Sequence, residues 1–457
     1  MKRYGLMVWA GLAAWSIAGV AEAAPEARVS RAELVTMRGA KIGDFIRLAN
    51  APLDATRTGG VRLKRIDVYA PDARVLVAGE RGMREVPRSD WRNFIADPDD
   101  ATAPLLALSL ESDGKRANGI LITPDGSFVV SGEGEDGLAL RLVSSTDTAP
   151  DGRKLEFACT GATAVGADPL GFAVSPAVAT PSSANAPSGA PATRNAVIAV
   201  DTDNELLLQK FSNNTVNATN YIAALFTQMN LIYERDLDVA LQVGTTILRP
   251  STTPDPFNNN DTIASQAQLV EFGTWWQNNQ AATPRVLAMF LSGKSAATNQ
   301  SSGIAWLLTS GIYCNQRNGS GGGYSVSQVF KAPGSPASND TQVVAHELGH
   351  NFGAAHTHCT NLAGAQPAST NTLDSCFTGE SGLGCFAGPQ VCPAASGRTL
   401  MSYCHLPSPG GTTCGSVTLA FHPVHITSLL ARVATNTPAC ITLAAPGETP
   451  LFSNGFE

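Results

Sequence analysis

His346-Glu347-Leu348-Gly349-His350-Asn351-Phe352-Gly353-Ala354-Ala355-His356 decides how this chain is read. His346 and His350 are four residues apart, so on a helix both side chains leave one face, a turn apart, and can grip one ion from the same side. Glu347 lies beside the pair without holding a ligand position. Gly353 has no Cβ, which lets the chain leave the helix sharply and swing His356 back as a third imidazole. Three protein ligands leave a fourth position for water, the arrangement of a catalytic rather than a structural zinc ion. A pair of histidines at helical spacing is often only a surface feature. The full pattern fixes five positions, and three of them take histidine in a chain that has only seven.

All seven histidines fall between 346 and 425. His358, His405, His422 and His425 match no position of the pattern and read as surface or loop histidines. The cysteines are as uneven: Cys314, Cys359, Cys376, Cys385, Cys392, Cys404, Cys414 and Cys440 lie in the last third, and Cys159 stands alone upstream. Eight cysteines in an exported region suit four disulfides, although spacing does not select their pairing. No Cys-x-x-Cys spacing suggests a second metal cluster. Residues 359 to 415 are rich in Gly, Pro and Cys with little periodicity, so a disulfide-held loop region is expected.

Upstream of the histidine segment, strands and helices alternate. Ala196 to Val200 reads as a short buried strand, and Asn217 to Glu234 carries Ile222, Leu225, Phe226, Met229, Ile232 and Tyr233 at helical spacing. Val239 to Leu248 is a further strand. Thr262 to Asn279 is a second helix with Asp261 as its N-cap and Leu269, Phe272 and Trp276 on one side. Arg285 to Leu291, Ile304 to Tyr313 and Ser325 to Phe330 read as strands, and Asn339 or Asp340 caps the histidine helix.

The rest of the 457 residues divides by composition. Residues 1–23 have the pattern of a secretory signal: Lys2 and Arg3, an apolar core from Gly5 to Val20, and the small-x-small site Ala21-Glu22-Ala23. Residues 24–173 read as a β-rich domain, with strands such as Arg74 to Ala78, Ile120 to Thr123 and Ser127 to Val130 broken by Gly, Pro and Asp turns. Residues 174–194 are a Pro/Ala/Ser linker, and a proteolytic nick is expected near Thr193-Arg194-Asn195. The second domain spans 195–445, and 446–457 form a tail. The net charge of -7, with no basic run, argues against nucleic acid as a partner. No stretch after the signal is apolar for long enough to cross a membrane.

HELGHNFGAAH followed by Thr399-Leu400-Met401-Ser402-Tyr403 resembles the metzincin zinc peptidases, and within them the reprolysin or adamalysin-like group. That resemblance covers about 195 to 445. It implies an α/β (α+β) catalytic domain with a twisted, mostly parallel five-stranded sheet, long helices and a disulfide-rich lower subdomain, behind a β-rich prodomain. It also suggests that Cys314 pairs with Cys440, and that Met401 forms an apolar floor under the metal. Reprolysins usually place Asp after the third histidine, where this chain has Thr357. They often carry a calcium ligand Glu on the first strand; Ala196 to Asp201 has none, so a structural calcium ion is without support. Tyr403, two places after Met401, matches astacins and serralysins, which makes it a candidate transition-state stabiliser beside the alternative of a packing or hydrogen-bonding tyrosine.

The expected activity is hydrolysis of internal peptide bonds by an extracellular, monomeric zinc enzyme. His346, His350 and His356 are the ligands and Glu347 is the base that activates water. Proteins or peptides are its expected partners. Cys159 is a candidate zymogen switch, because a thiolate can take the fourth zinc position. The competing expectation is an N-terminal binding or adhesion module that persists, with a zinc domain that mainly processes its own chain.

Overall fold

Two sheets enclose one long helix, and that helix decides how the two halves of the chain relate. The computed structural model describes residues 27–97, 104–123, 126–144, 192–257, 264–294, 302–307, 313–314, 321–330, 338–380, 384–394, 397–409 and 411–444. The expected signal segment, Cys159 and the C-terminal tail lie outside these residues.

The N-terminal half begins with β1 (Ala27–Ser30) and α1 (Arg31–Gly39). A capping box starts that helix: Ser30 Oγ accepts from the Glu33 N–H, and the Glu33 carboxylate accepts from the Ser30 N–H. Then come β2 (Phe45–Pro52), β3 (Thr58–Ile66), β4 (Val75–Gly79), β5 (Gly82–Val86), β6 (Arg92–Ala96), β7 (Leu105–Leu110), β8 (Arg116–Thr123), β9 (Gly126–Glu133) and β10 (Gly137–Ser144). Eight of these make an antiparallel sheet in the order β1-β10-β9-β8-β7-β6-β3-β2. Alternation along its strands divides the side chains between two cores. Phe94 and Leu121 join the cluster that holds Leu34 and Met37 of α1, whereas Ile95, Ile120 and Ile122 face the other way.

The C-terminal half supplies β11 (Arg194–Thr202), α2 (Thr215–Leu237), β12 (Val239–Leu248), α3 (Gln266–Gln280), β13 (Leu287–Ser292), β14 (Gly303–Ala305), β15 (Tyr324–Gln328), α4 (Ser338–Phe352), α5 (Pro423–Thr435) and β16 (Thr442–Leu443). Its sheet runs β14-β15-β13-β11-β12-β4-β5, with β16 paired to the start of β11. β12, β11, β13 and β15 run parallel, and β14 is antiparallel to β15. The expected five strands are therefore extended to eight. The β4–β5 hairpin leaves the N-terminal sheet and adds to the edge of β12, with Thr246 opposite Val75 and Leu248 opposite Val77.

α2 lies between the sheets, and 18 of its 23 residues are buried. A helix apolar on one stripe only would belong at a surface; one buried all round belongs in the middle. Ile222, Leu225, Phe226 and Met229 share one core with Val243 and Leu241 of the C-terminal sheet and with Ile66, Ile95, Ala107, Ile120 and Ile122 of the N-terminal one. Each fully buried large aliphatic residue contributes about 1.5–3 kcal/mol relative to exposure.

Four expectations change at this level. β14 has only three residues, not the span Ile304 to Tyr313. α3 is capped by Ser265, whose hydroxyl accepts from the Gln268 N–H, one residue short of its first turn; Asp261 is outside the described residues. Asn339 and Asp340 lie inside the first turn of α4. There the Asp340 carboxylate accepts from the Tyr221 hydroxyl (2.9 Å) and the Phe330 N–H (2.7 Å), tying α4 to α2 and to the segment that follows β15. Arg194 opens β11 opposite Val239 and pairs with Asp238, so the linker ends before it.

Candidate active site

α4 carries the first two histidines into the interior, and three neighbours fix its position. Tyr233 of α2 donates to the Ala345 carbonyl at 2.8 Å. Asn351 Nδ2 donates to the carbonyls of Trp306 and Tyr324. Gly349 lets Met401 and Phe421 close on the helix: a Cβ there would lie 2.8 Å from Met401 Sδ and 3.0 Å from Phe421. The helix ends at Gly353, at φ +110°, which favours glycine, and a Cβ would also strike the Arg432 guanidinium. Gln366 then braces the turn, accepting from the Ala355 N–H and donating to the Gly353 carbonyl.

His346, His350 and His356 converge. His346 Nε2 is 3.3 Å and His350 Nε2 is 3.1 Å from His356 Nε2. Each ring's other nitrogen faces an acceptor: Leu400 O for His346 (2.8 Å), Ala354 O for His350 (2.7 Å) and Glu380 Oε2 for His356 (2.7 Å). The Nδ1 atoms must therefore carry the protons, which leaves three Nε2 lone pairs pointed at one another. Such a cluster is repulsive without a cation between its members. The spacing suits zinc, because tetrahedral bonds of about 2.0–2.1 Å place ligand nitrogens roughly 3.3 Å apart. Burial, then the neighbouring imidazoles, hold His346 and His350 well below the usual histidine range, in the neutral form that a metal needs.

Glu347 is fully buried beside this cluster. Gly303 of β14 makes room for it, since a Cβ on that glycine would lie 2.2 Å from Glu347 Oε1. Met401 is buried under the helix, and its carbonyl accepts from the Thr357 N–H, tying the turn at Met401 to the residue after the third histidine. Leu400, one place earlier, sets the tautomer of His346. The buried Tyr403 ring lies against His356, tilted by 43° with centroids 4.2 Å apart.

Several participants escape a reading of the sequence. Glu380 bridges two histidines, with Oε2 2.7 Å from His356 Nδ1 and 2.8 Å from His358 Nε2. Burial alone would raise its carboxyl, but the two imidazoles hold it well below the usual carboxylate range. Asp374 accepts from the Thr357 hydroxyl, so a carboxylate from the loop stands where the third histidine's neighbour has none. His358 and His425 are buried, contrary to their expected surface or loop placement; His425 Nε2 meets Thr360 Oγ1 at 3.0 Å. His422 instead caps α5 by accepting from the Val424 N–H.

Four disulfides hold this region: Cys314–Cys440, the pairing the resemblance suggested, with Cys359–Cys385, Cys376–Cys404 and Cys392–Cys414. Cys359–Cys385 closes the segment that brings Glu380 back to His356. On the chain-entropy account, a loop of that length contributes about 3–4 kcal/mol.

Two imidazoles on a glycine-terminated helix, a third brought back from beyond its turn, a buried carboxylate beside them and a buried methionine under the helix define a zinc metalloendopeptidase. Residues 192–411 match the reprolysin-type family model described as metallo-peptidase family M12. No curated protein matches the chain. Among solved structures, metalloproteinase-II from Bacteroides fragilis is 12% identical, with a TM-score of 0.37 over 75% of this chain and 91% of that one. A chaperone–substrate complex is 10% identical, with a TM-score of 0.28 over 52% and 38%. The assignment rests on the family match and the site, not on these loose overlaps.

Proposed function

We propose that the chain is an exported endopeptidase that hydrolyses internal peptide bonds of proteins, with Glu347 as its general base. The observation that carries this reading is the convergence of three Nε2 lone pairs beside a buried carboxylate that is not among them. His346, His350 and His356 would hold a zinc ion, which would supply Lewis acidity toward the scissile carbonyl and lower the pKa of the attacking water toward neutrality. Glu347 takes a proton from the attacking water and delivers it to the departing amide nitrogen. Gly303 keeps the space that carboxylate occupies. Tyr403, whose ring lies beside His356, is the proposed donor toward the developing oxyanion.

Export is supported by the four disulfides, which persist in oxidising compartments. No helix among the described residues is long and apolar enough to cross a membrane. A zymogen form is part of the proposal, with the Cys159 thiolate filling the fourth ligand position; a Cys159→Ala precursor would then degrade casein without processing. A peptide-library digest tests the main reading. Internal cleavage that stops with a zinc chelator and returns with added zinc is expected, and cleavage indifferent to the chelator would sink it.

A further inference from the structure

We infer that the N-terminal sheet domain is a permanent half of the folded enzyme: once the linker is cut, residues 27–144 stay bound to the catalytic domain. Two kinds of contact carry this, and neither depends on the linker or on catalysis.

The first is backbone pairing. β4 runs parallel to β12 in register. The strand lead-in adds three bonds of the same kind: Val243 N–H to Val68 O (2.7 Å), Ala70 N–H to Val243 O (2.9 Å) and Thr246 N–H to Arg74 O (2.7 Å). Removing the N-terminal domain would strip one whole edge of the catalytic sheet and leave its donors and acceptors as a template for aggregation.

The second is a shared core. Ile66, Val68, Ile95, Ala107, Ile120 and Ile122 lie in the same buried cluster as Phe226 and Met229 of α2. At the margin, Ser89 Oγ donates to Asn220 Oδ1 at 2.6 Å. A helix buried on all sides has no face suited to water, so the catalytic domain alone would expose a large apolar surface. Interfaces that resemble a domain core cut in half are the mark of obligate partners.

The docking edge also leaves room for catalysis. β4 joins one end of the strand order, while β14, which faces Glu347, closes the other end. Five strand spacings separate them, about 24 Å.

The test uses the full chain with a specific protease site inserted between residues 174 and 191, in a Glu347→Gln background so that self-cleavage does not enter. After complete cutting, gel filtration at low micromolar concentration should show both fragments co-eluting, with one thermal transition near that of the uncut chain. Ile120→Asp together with Ile122→Asp should release the cut fragments from each other at the same concentration. Separation of the unsubstituted fragments, with a catalytic fragment that stays soluble and folded by itself, would overturn the inference. Because the readout is association, a failed proteolytic assay leaves this result unaffected.

Discussion

Glu380 Oε2 accepts from His356 Nδ1 at 2.7 Å, so a residue of the cysteine-rich loop orients the third proposed metal ligand. Carboxylates in this position fix the ring and raise its basicity, and losing them typically weakens metal binding 10- to 100-fold. Glu380→Ala should therefore raise the zinc dissociation constant by about that factor, with Glu380→Gln in between. Competition with a chromogenic chelator measures it, and the melting temperature of the metal-free protein separates it from unfolding. Zinc affinity equal to wild type would contradict the positioning role.

Gly303→Ala places a methyl group where Glu347 Oε1 now lies. The carboxylate, as the flexible partner, must move. A displacement of the base by an ångström costs about 100-fold in rate, so kcat should fall by that order while zinc content stays at one per chain. Loss of zinc in parallel with activity would point to a collapsed site.

Gly349→Ala tests the methionine floor. Its Cβ would meet Met401 Sδ at 2.8 Å and Phe421 at 3.0 Å, both fully packed, and overpacking of this kind costs about 1–3 kcal/mol. Denaturant unfolding should register that loss. An unchanged midpoint would show that Met401 moves freely.

Tyr403→Phe separates two roles for the ring beside His356. If its hydroxyl steadies the oxyanion, kcat falls about 100-fold with zinc affinity unchanged. Wild-type kcat in the variant would assign Tyr403 to packing alone.

The zinc helix was legible because its spacing is local: His346 and His350 on one face, and Gly353 at the turn. β12 coincides with its reading, Val239 to Leu248, because β-branched and apolar residues alternate between clear boundaries. What escaped depends on distant chain. Glu380 lies 24 residues beyond His356 and Asp374 17 beyond Thr357, with loops tied by disulfides whose pairing spacing does not reveal. Asp340 looked like a cap because Asp favours caps, but its carboxylate is spent on Tyr221 and Phe330 instead. The merger of the two halves was equally hidden. A helix buried all round and a hairpin that changes sheets become meaningful only when both sheets are in place.

Glu347 is proposed as a base beside the metal and not as one of its ligands. The most direct measurement compares wild type with Glu347→Gln for zinc per chain, by elemental analysis, and for kcat on one peptide. Each protein should hold one zinc, and kcat should be lower by at least about 100-fold in the variant. Equal turnover, or loss of zinc with the substitution, would contradict it.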